Sequence, residues 1–515
     1  MNFGKKLLIG SVVAVAVLVA LLILQSSKDI DLNLQMGGAP ANTNNITLFC
    51  AAGIKAPIVE AAKDFEQKYS VHVNLEYGGS GTLLNKLNIA RIGDLYLAGD
   101  SSYTKKAKDM DLVAEQLPLA YMRAVIAVQK GNPKNIKSLA DLSRFDVRVG
   151  LGNPEASAIG KVSKKVLIKE GLWDKIQSNI NRKGVFKPTV SELVNDVQLG
   201  AVDAVIVWDI NAFVSDKIEI VSIDGFSQEI KTVTVGVLNS SKNPTMALRF
   251  ARYLNSKKGN VIFKKYGFDA VDGDKWAWKP EITFFCGSVN RGAISSVLKR
   301  FQQREGVVIN TKYNGCGILT ADMKLIKKGQ GGGNFPDVYM ACDRYYLNTV
   351  KDWFQEDVDI SDTDIVIVVP KGNPANIKSI KDLAKTGLKI SVGQCDQCTI
   401  GALTKIMLQR EDLYNDVMKN VKVQTASSSM LVPTVMKTKN MNTVLDATLA
   451  YRVDTLGLSN QVDVIEIHSI NAKAIQPFSL SVSSKYKYLD RRLKLAVMSA
   501  KKAFIDKGFN FRAQQ

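Results

Sequence analysis

Residues Lys130–Leu142, KGNPKNIKSLADL, return as Lys371–Leu383, KGNPANIKSIKDL, 241 positions later with 10 of 13 residues unchanged. The repeat extends far beyond this stretch. ITLFCAAG (Ile46–Gly53) matches ITFFCGSV (Ile282–Val289), and EYGGSGTLL (Glu76–Leu84) matches KYNGCGILT (Lys312–Thr320), both at a spacing of 236. A Gly-rich insertion, KKGQGGGN, takes the spacing to 243, where GDLYLAGDSSY (Gly93–Tyr103) matches PDVYMACDRYY (Pro336–Tyr346). The order of matching segments never changes, so the chain holds two homologous modules, 46–275 and 280–515. A length of 515 residues suits three or four compact units.

Each module alternates short β-rich runs with helical ones. ITLFCA reads as a strand, KAPIVEAAKDFEQKY places Ile58, Val59, Ala62 and Phe65 at helical spacing, and VHVNLEY alternates as a strand again. This pattern predicts an α/β fold with a mostly parallel sheet covered on both faces. Ligands of such sheets sit beyond the carboxyl ends of the strands, against helix N-termini. Three strand-to-helix turns fall there: AAGIKAP (Ala51–Pro57), GGSG (Gly78–Gly81) and GNPEASAIGK (Gly152–Lys161). Glycine-rich turns aim backbone amides at one point beside a positive dipole end, which suits an anion, although such a turn is often only a turn.

The N-terminus is of another kind. Lys5 and Lys6 precede an uncharged run from Leu7 to Leu24, and 18 residues at about 1.5 Å each cover about 27 Å, close to the bilayer's hydrocarbon thickness. Residues 1–27 are expected to be a signal anchor or transmembrane helix and 28–45 a flexible tether, placing both modules on the periplasmic or outer face of a membrane. A secreted protein whose signal is cleaved is the alternative, but the run ends in QSSKD without a small-residue cleavage site. The formal net charge of +19 admits nucleic acid, an acidic membrane surface or an anionic ligand. Basic residues are scattered in pairs, with no run of five and no interleaved aromatics, so no nucleic-acid partner is expected. With two histidines, His72 and His468, and no nucleophile–His–acid set, the chain is not expected to be an enzyme, and no cofactor is implied. Asp94, Asp100, Asp337 and Asp343 recur between modules, which suits a fold role at least as well as chemistry.

The ordered set ITLFCAAG, YGGSGTLL, GDLYLAGD, VGLGNPEASAIGK, VDAVIVWD and FKKYGF resembles the extracytoplasmic molybdate-binding proteins of ABC transporters, a branch of the type II periplasmic binding proteins. The resemblance covers nearly all of 46–270 and, more loosely, 282–512. It implies two modules in tandem, each with two α/β lobes joined by two crossovers around a ligand cleft. It also implies a tetrahedral oxyanion as ligand, molybdate or tungstate in kind, and an ABC permease as partner. Carried onto this sequence, the binding positions are Gly53 where the family usually has Ser, Ser80, the amides of Ile159 and Val190, and Trp208 where Tyr is usual. Ser157 or Ser191 could supply the hydroxyl lost at Gly53.

The second module departs from that pattern. Its matching candidates are Ser288, Cys316 in place of Ser80, Cys398 in place of Ser157, and Ile400, while Cys342 replaces Gly99. Cys395 and Cys398 form a C-x-x-C pair readable as a disulfide, a redox pair or half of a soft-metal site. A bridge between Cys316 and Cys398 across the cleft is a further reading that the resemblance implies. Beside transport, two other functions stay open: a sensory or scaffolding ectodomain that kept the binding fold, and a redox or metal-handling protein working through these cysteines.

Overall fold

A computed structural model describes residues 45–213, 215–222, 226, 229–436, 445–469 and 471–513. The membrane segment expected over 1–27 and the tether up to residue 44 lie outside the described residues. No helix among the described residues is long and apolar enough to cross a membrane.

Each module folds as two sheets that share one long strand. In the first module the order is His72–Gly78, Asn45–Ala51, Leu95–Ala98, Ile230–Leu238, Val113–Gln129, Ala204–Trp208, Val149–Gly152, Val185–Lys187. The second repeats it: Val308–Asn314, Glu281–Gly287, Val338–Met340, Lys473–Ser481, Phe354–Pro370, Ala447–Tyr451, Ile390–Gly393, Val421–Thr425. Pairing is parallel at the two outer flanks of each module and antiparallel at the two strands in the middle. The expectation of a mostly parallel sheet therefore needs correction. Val113–Gln129 leaves the first lobe for the second, and the chain returns through Ile230–Leu238; a segment that must come back runs opposite to the one that left. At 17 residues, Val113–Gln129 is long enough to pair with Ile230–Leu238 in one sheet and with Ala204–Trp208 in the other.

The repeated surface loop has a structural reason. Asn132 takes φ 46° and Asn135 φ 47°, matched by Asn373 at 46° and Asn376 at 47°, a left-handed region that Asn tolerates better than most residues. The Asn132 side chain accepts from the Ile136 amide and donates to the Ile136 carbonyl, and Asn373 does the same with Ile377. Asp141 and Asp382 close the loop by accepting two successive amides each. The recurring aspartates are likewise occupied by the fold: Asp94 and Asp337 accept the Thr47 and Thr283 amides, and Asp100 and Asp343 cap the helices that follow them.

The modules have separate hydrophobic cores and meet at a polar junction. Glu305 is 2% exposed and lies between Arg252 of the first module, at 3.0 Å, and Arg492 of the second, at 2.8 Å. Burial opposes its ionisation, but the two guanidinium groups outweigh this and hold its carboxyl below the ordinary range. Asp274, at the end of the first module, accepts the amides of Tyr488 and Leu489 and so caps the helix Lys487–Met498 of the second module.

Candidate functional site

Four helical turns of the first module begin at one cavity between its lobes. They are the 3-10 turn Ala52–Ile54 leading into Lys55–Tyr69, Ser80–Ala90, Ala158–Lys169 and Val190–Gln198. The cavity is lined by Gly53, Ser80, Ser157, Ile159, Val190 and Trp208, together with Gly99, Thr189 and neighbouring small residues, and carries no charged side chain. Six of the seven positions named from sequence for this module thus meet at one place, and Ser191 is not among the lining residues.

Their chemistry differs one from another. The Ser80 hydroxyl oxygen accepts from the Gly99 amide at 3.2 Å, which leaves its proton free for a second partner. The amides of Ser80, Ile159 and Val190 lie in first helical turns, have no intrahelical acceptor, and donate to none among the described residues. The Trp208 indole can only donate, and it finds no acceptor among the described residues. Ser157 is different: its hydroxyl donates to the Asn153 carbonyl and accepts from the Gly160 amide, so it is spent as a helix cap and does not replace the hydroxyl lost at Gly53. Ser191 donates to the Ala52 carbonyl instead. Gly53 has a packing reason, since a Cβ there would stand 2.7 Å from Val190 Cγ1.

The lobes touch across this cavity. The amide of Gly81 donates to the Ala156 carbonyl at 2.9 Å, and Asn211 Nδ2 donates to the Gly53 carbonyl at 2.9 Å. A Cβ at Gly79 would lie 2.3 Å from the Ala156 oxygen, so only glycine permits this approach. Sequence reasoning did not single out Asn211, whose buried Oδ1 has no partner among the described residues; its signal was its place three residues after the strand-ending Trp208.

The second cleft repeats the geometry with other atoms. Cys316 opens the helix Cys316–Lys327 as Ser80 opens its own, and its Sγ accepts from the Cys342 amide at 3.0 Å, the counterpart of the Ser80–Gly99 bond. Tyr451 ends the strand that Trp208 ends in the first module. Ile400 lies in the first turn of Thr399–Arg410, next to Cys398 at the cap position, and Ser288 opens the turn Ser288–Asn290. Val289 and Ser428 stand where Gly53 and Val190 stand, so large and small have changed sides. Asp454 takes the place of Asn211; burial raises its carboxyl to about 6, with the Ser428 hydroxyl partly offsetting this. Cys395 and Cys398 are not bonded to each other or to any other cysteine. No group of three or more metal-ligating side chains occurs among the described residues.

The profile of the bacterial extracellular solute-binding proteins matches this chain twice, over residues 46–269 and 282–509. The chain belongs to that family. Among its relatives, a putative binding protein of Haemophilus influenzae is 33% identical over 226 residues, 44% of this chain and 90% of that protein. The molybdate-binding protein ModA of Escherichia coli is 26% identical over 241 residues, 45% of this chain and 91% of its own. A solved Clostridium difficile structure, the substrate binding domain of a putative molybdenum ABC transporter, is 25% identical and covers 44% of this chain and 99% of its own, with a TM-score of 0.35. Each of these relatives spans one module's length; this solute-binding protein carries two.

Proposed function

We propose that the first module captures a fully deprotonated tetrahedral oxyanion, molybdate or tungstate in kind, and hands it to an ABC permease in the membrane to which residues 1–27 tether the chain. One observation carries the reading: the cavity offers donors from converging helix starts and a hydroxyl, and no charged side chain. An unprotonated oxyanion has only acceptors, so donors alone satisfy it, whereas a protonated phosphate needs an acceptor for its O–H. The donors would be Ser80 through its hydroxyl and amide, the amides of Ile159 and Val190, and the Trp208 indole. Five charge-assisted bonds at about 1.5–3 kcal/mol each exceed the ordering cost of binding, so micromolar or better affinity is expected. ModA of Escherichia coli is named for molybdate binding, in agreement with this ligand class.

Thermal unfolding of the chain with molybdate, tungstate, sulfate and phosphate in turn tests it. A ligand at a hundredfold over its Kd stabilises the binding state by about 2.7 kcal/mol. A raised transition with molybdate or tungstate, lost in Ser80→Ala, supports the assignment; no shift with any of the four ends it.

A further inference from the structure

The second cleft places two thiols in contact at the two positions where the first module has Ser80 and Gly99. Cys316 Sγ and Cys342 Sγ are 2.9 Å apart, both sulfurs sit on turns of the same lobe, and the residues are 0% and 5% exposed. The buried Tyr339 hydroxyl lies against Cys316 and the buried Thr399 hydroxyl against both sulfurs, and Cys316 and Cys342 are among the charges that bear on both Tyr339 and Tyr451. In the first module the matching Tyr96 hydroxyl donates to the Ser80 carbonyl, and Gly99 has no side chain to offer. The second module has therefore gained a sulfur pair in the region that faces ligand space in the first.

We propose that Cys316 and Cys342 are a reversible dithiol–disulfide pair built into the second cleft and exchanged with an external disulfide, such as that of a small thiol or a protein oxidant. The Cys316 thiolate attacks one sulfur of the external disulfide, forming a mixed disulfide and expelling one thiolate, which takes up the proton that Cys316 lost. Cys342 then loses its proton and attacks the Cys316 sulfur, closing the Cys316–Cys342 bond and expelling the second thiol. Two cysteine thiols are oxidised, one external disulfide is reduced to two thiols, and no other reactant is needed. The order of roles suits the surroundings. Burial opposes a charge on Cys316, but hydrogen bonds from the Cys342 side chain and amide outweigh it and lower the thiol, while Cys342 is pushed up by the same contact. Because both thiols are buried, exchange proceeds when the lobes part.

This pairing differs from the two read from sequence, Cys395–Cys398 and Cys316–Cys398, and the test separates all three. The full chain is equilibrated with reduced and oxidised glutathione, starting once from the native reduced protein and once from unfolded, oxidised chain. It is then acid-quenched, alkylated and digested with trypsin without reduction. The expected product joins peptides 313–324 and 329–344, lighter by two hydrogens than their sum, increases with the oxidised fraction, and reverts on reduction. Cys316→Ser and Cys342→Gly, each restoring the first module's residue, should abolish it while unfolding cooperatively. Free Cys316 and Cys342 from both starting points, or a pair made instead by Cys398 with Cys395 or Cys316, would overturn the proposal.

Discussion

The two clefts share a scaffold and differ in what they present to a solute. The first offers amides, one free hydroxyl and an indole N–H, with glycines wherever the lobes or the ligand space come close. The second keeps the same strand ends and three of the four helix starts, with the short 3-10 turn Ser428–Met430 where the first has the helix Val190–Gln198, but sets sulfur at three positions, a tyrosine in place of tryptophan, and a carboxyl in place of an amide. Backbone placement alone therefore does not make a binding site. Duplication preserved the amides that any sequence supplies and changed the side chains that decide which solute they can serve.

The comparison presumes that the modules act as one body, and the largest expected effect breaks that presumption. Glu305→Gln leaves Arg252 and Arg492 buried with one neutral partner and should cost about 3–5 kcal/mol, splitting a single denaturant transition in two. The junction is also acid-sensitive: a carboxyl held low in the folded state stabilises above its unfolded pKa of about 4.3, and that contribution is lost as pH falls through the folded value.

Making the first cleft resemble the second is the next test. A Cβ at Gly99 would meet only ordinary contacts at 3.7 Å, one of them to Trp208 Nε1, so Gly99→Cys should fold while its thiol enters the cavity. Calorimetric oxyanion affinity should fall at least about a hundredfold, equivalent to about 2.7 kcal/mol. Unchanged affinity would mean that the thiol at Cys342 does not by itself separate the clefts.

Asp454 sharpens the contrast by pH. Its folded pKa of about 6 lies above the unfolded value, so it favours folding below about pH 4, and that advantage disappears as pH rises to about 6. Asp454→Asn, which restores the first module's Asn211, should flatten the stability–pH curve between those values in differential scanning calorimetry. The smallest effect belongs to Asp274→Ala. Loss of two capping bonds on the helix Lys487–Met498 should cost about 1 kcal/mol and lower the melting temperature by a few degrees at most.

Much of this protein was legible in the chain because a duplication supplies its own alignment. The spacings of 236, 243 and 241 placed Ser80 against Cys316 and Gly99 against Cys342 before any fold was considered. The positions that line the first cavity were named through the family resemblance, since a glycine-rich turn between strand and helix is often only a turn. Three things were not legible. The antiparallel crossovers were hidden, because a strand's periodicity carries no direction. Ser157 looked like a free hydroxyl, and only the backbone around it showed that Gly160 and Asn153 already use it. The closeness of Cys316 to Cys342 was hidden because the two lie 26 residues apart, on separate turns.

By itself, the sequence determined that the chain is two copies of one α/β module, that helix starts follow strand ends, and that cysteines collect in the second copy. Those are local or repeating properties, carried by periodicity, turn residues and spacing. Tertiary structure decided which hydroxyls remain free, which thiols touch, and that Glu305 is held between two arginines from different modules. Such contacts depend on distances between segments remote in the chain, and those distances exist only once both sheets of each module, and the junction between modules, are packed.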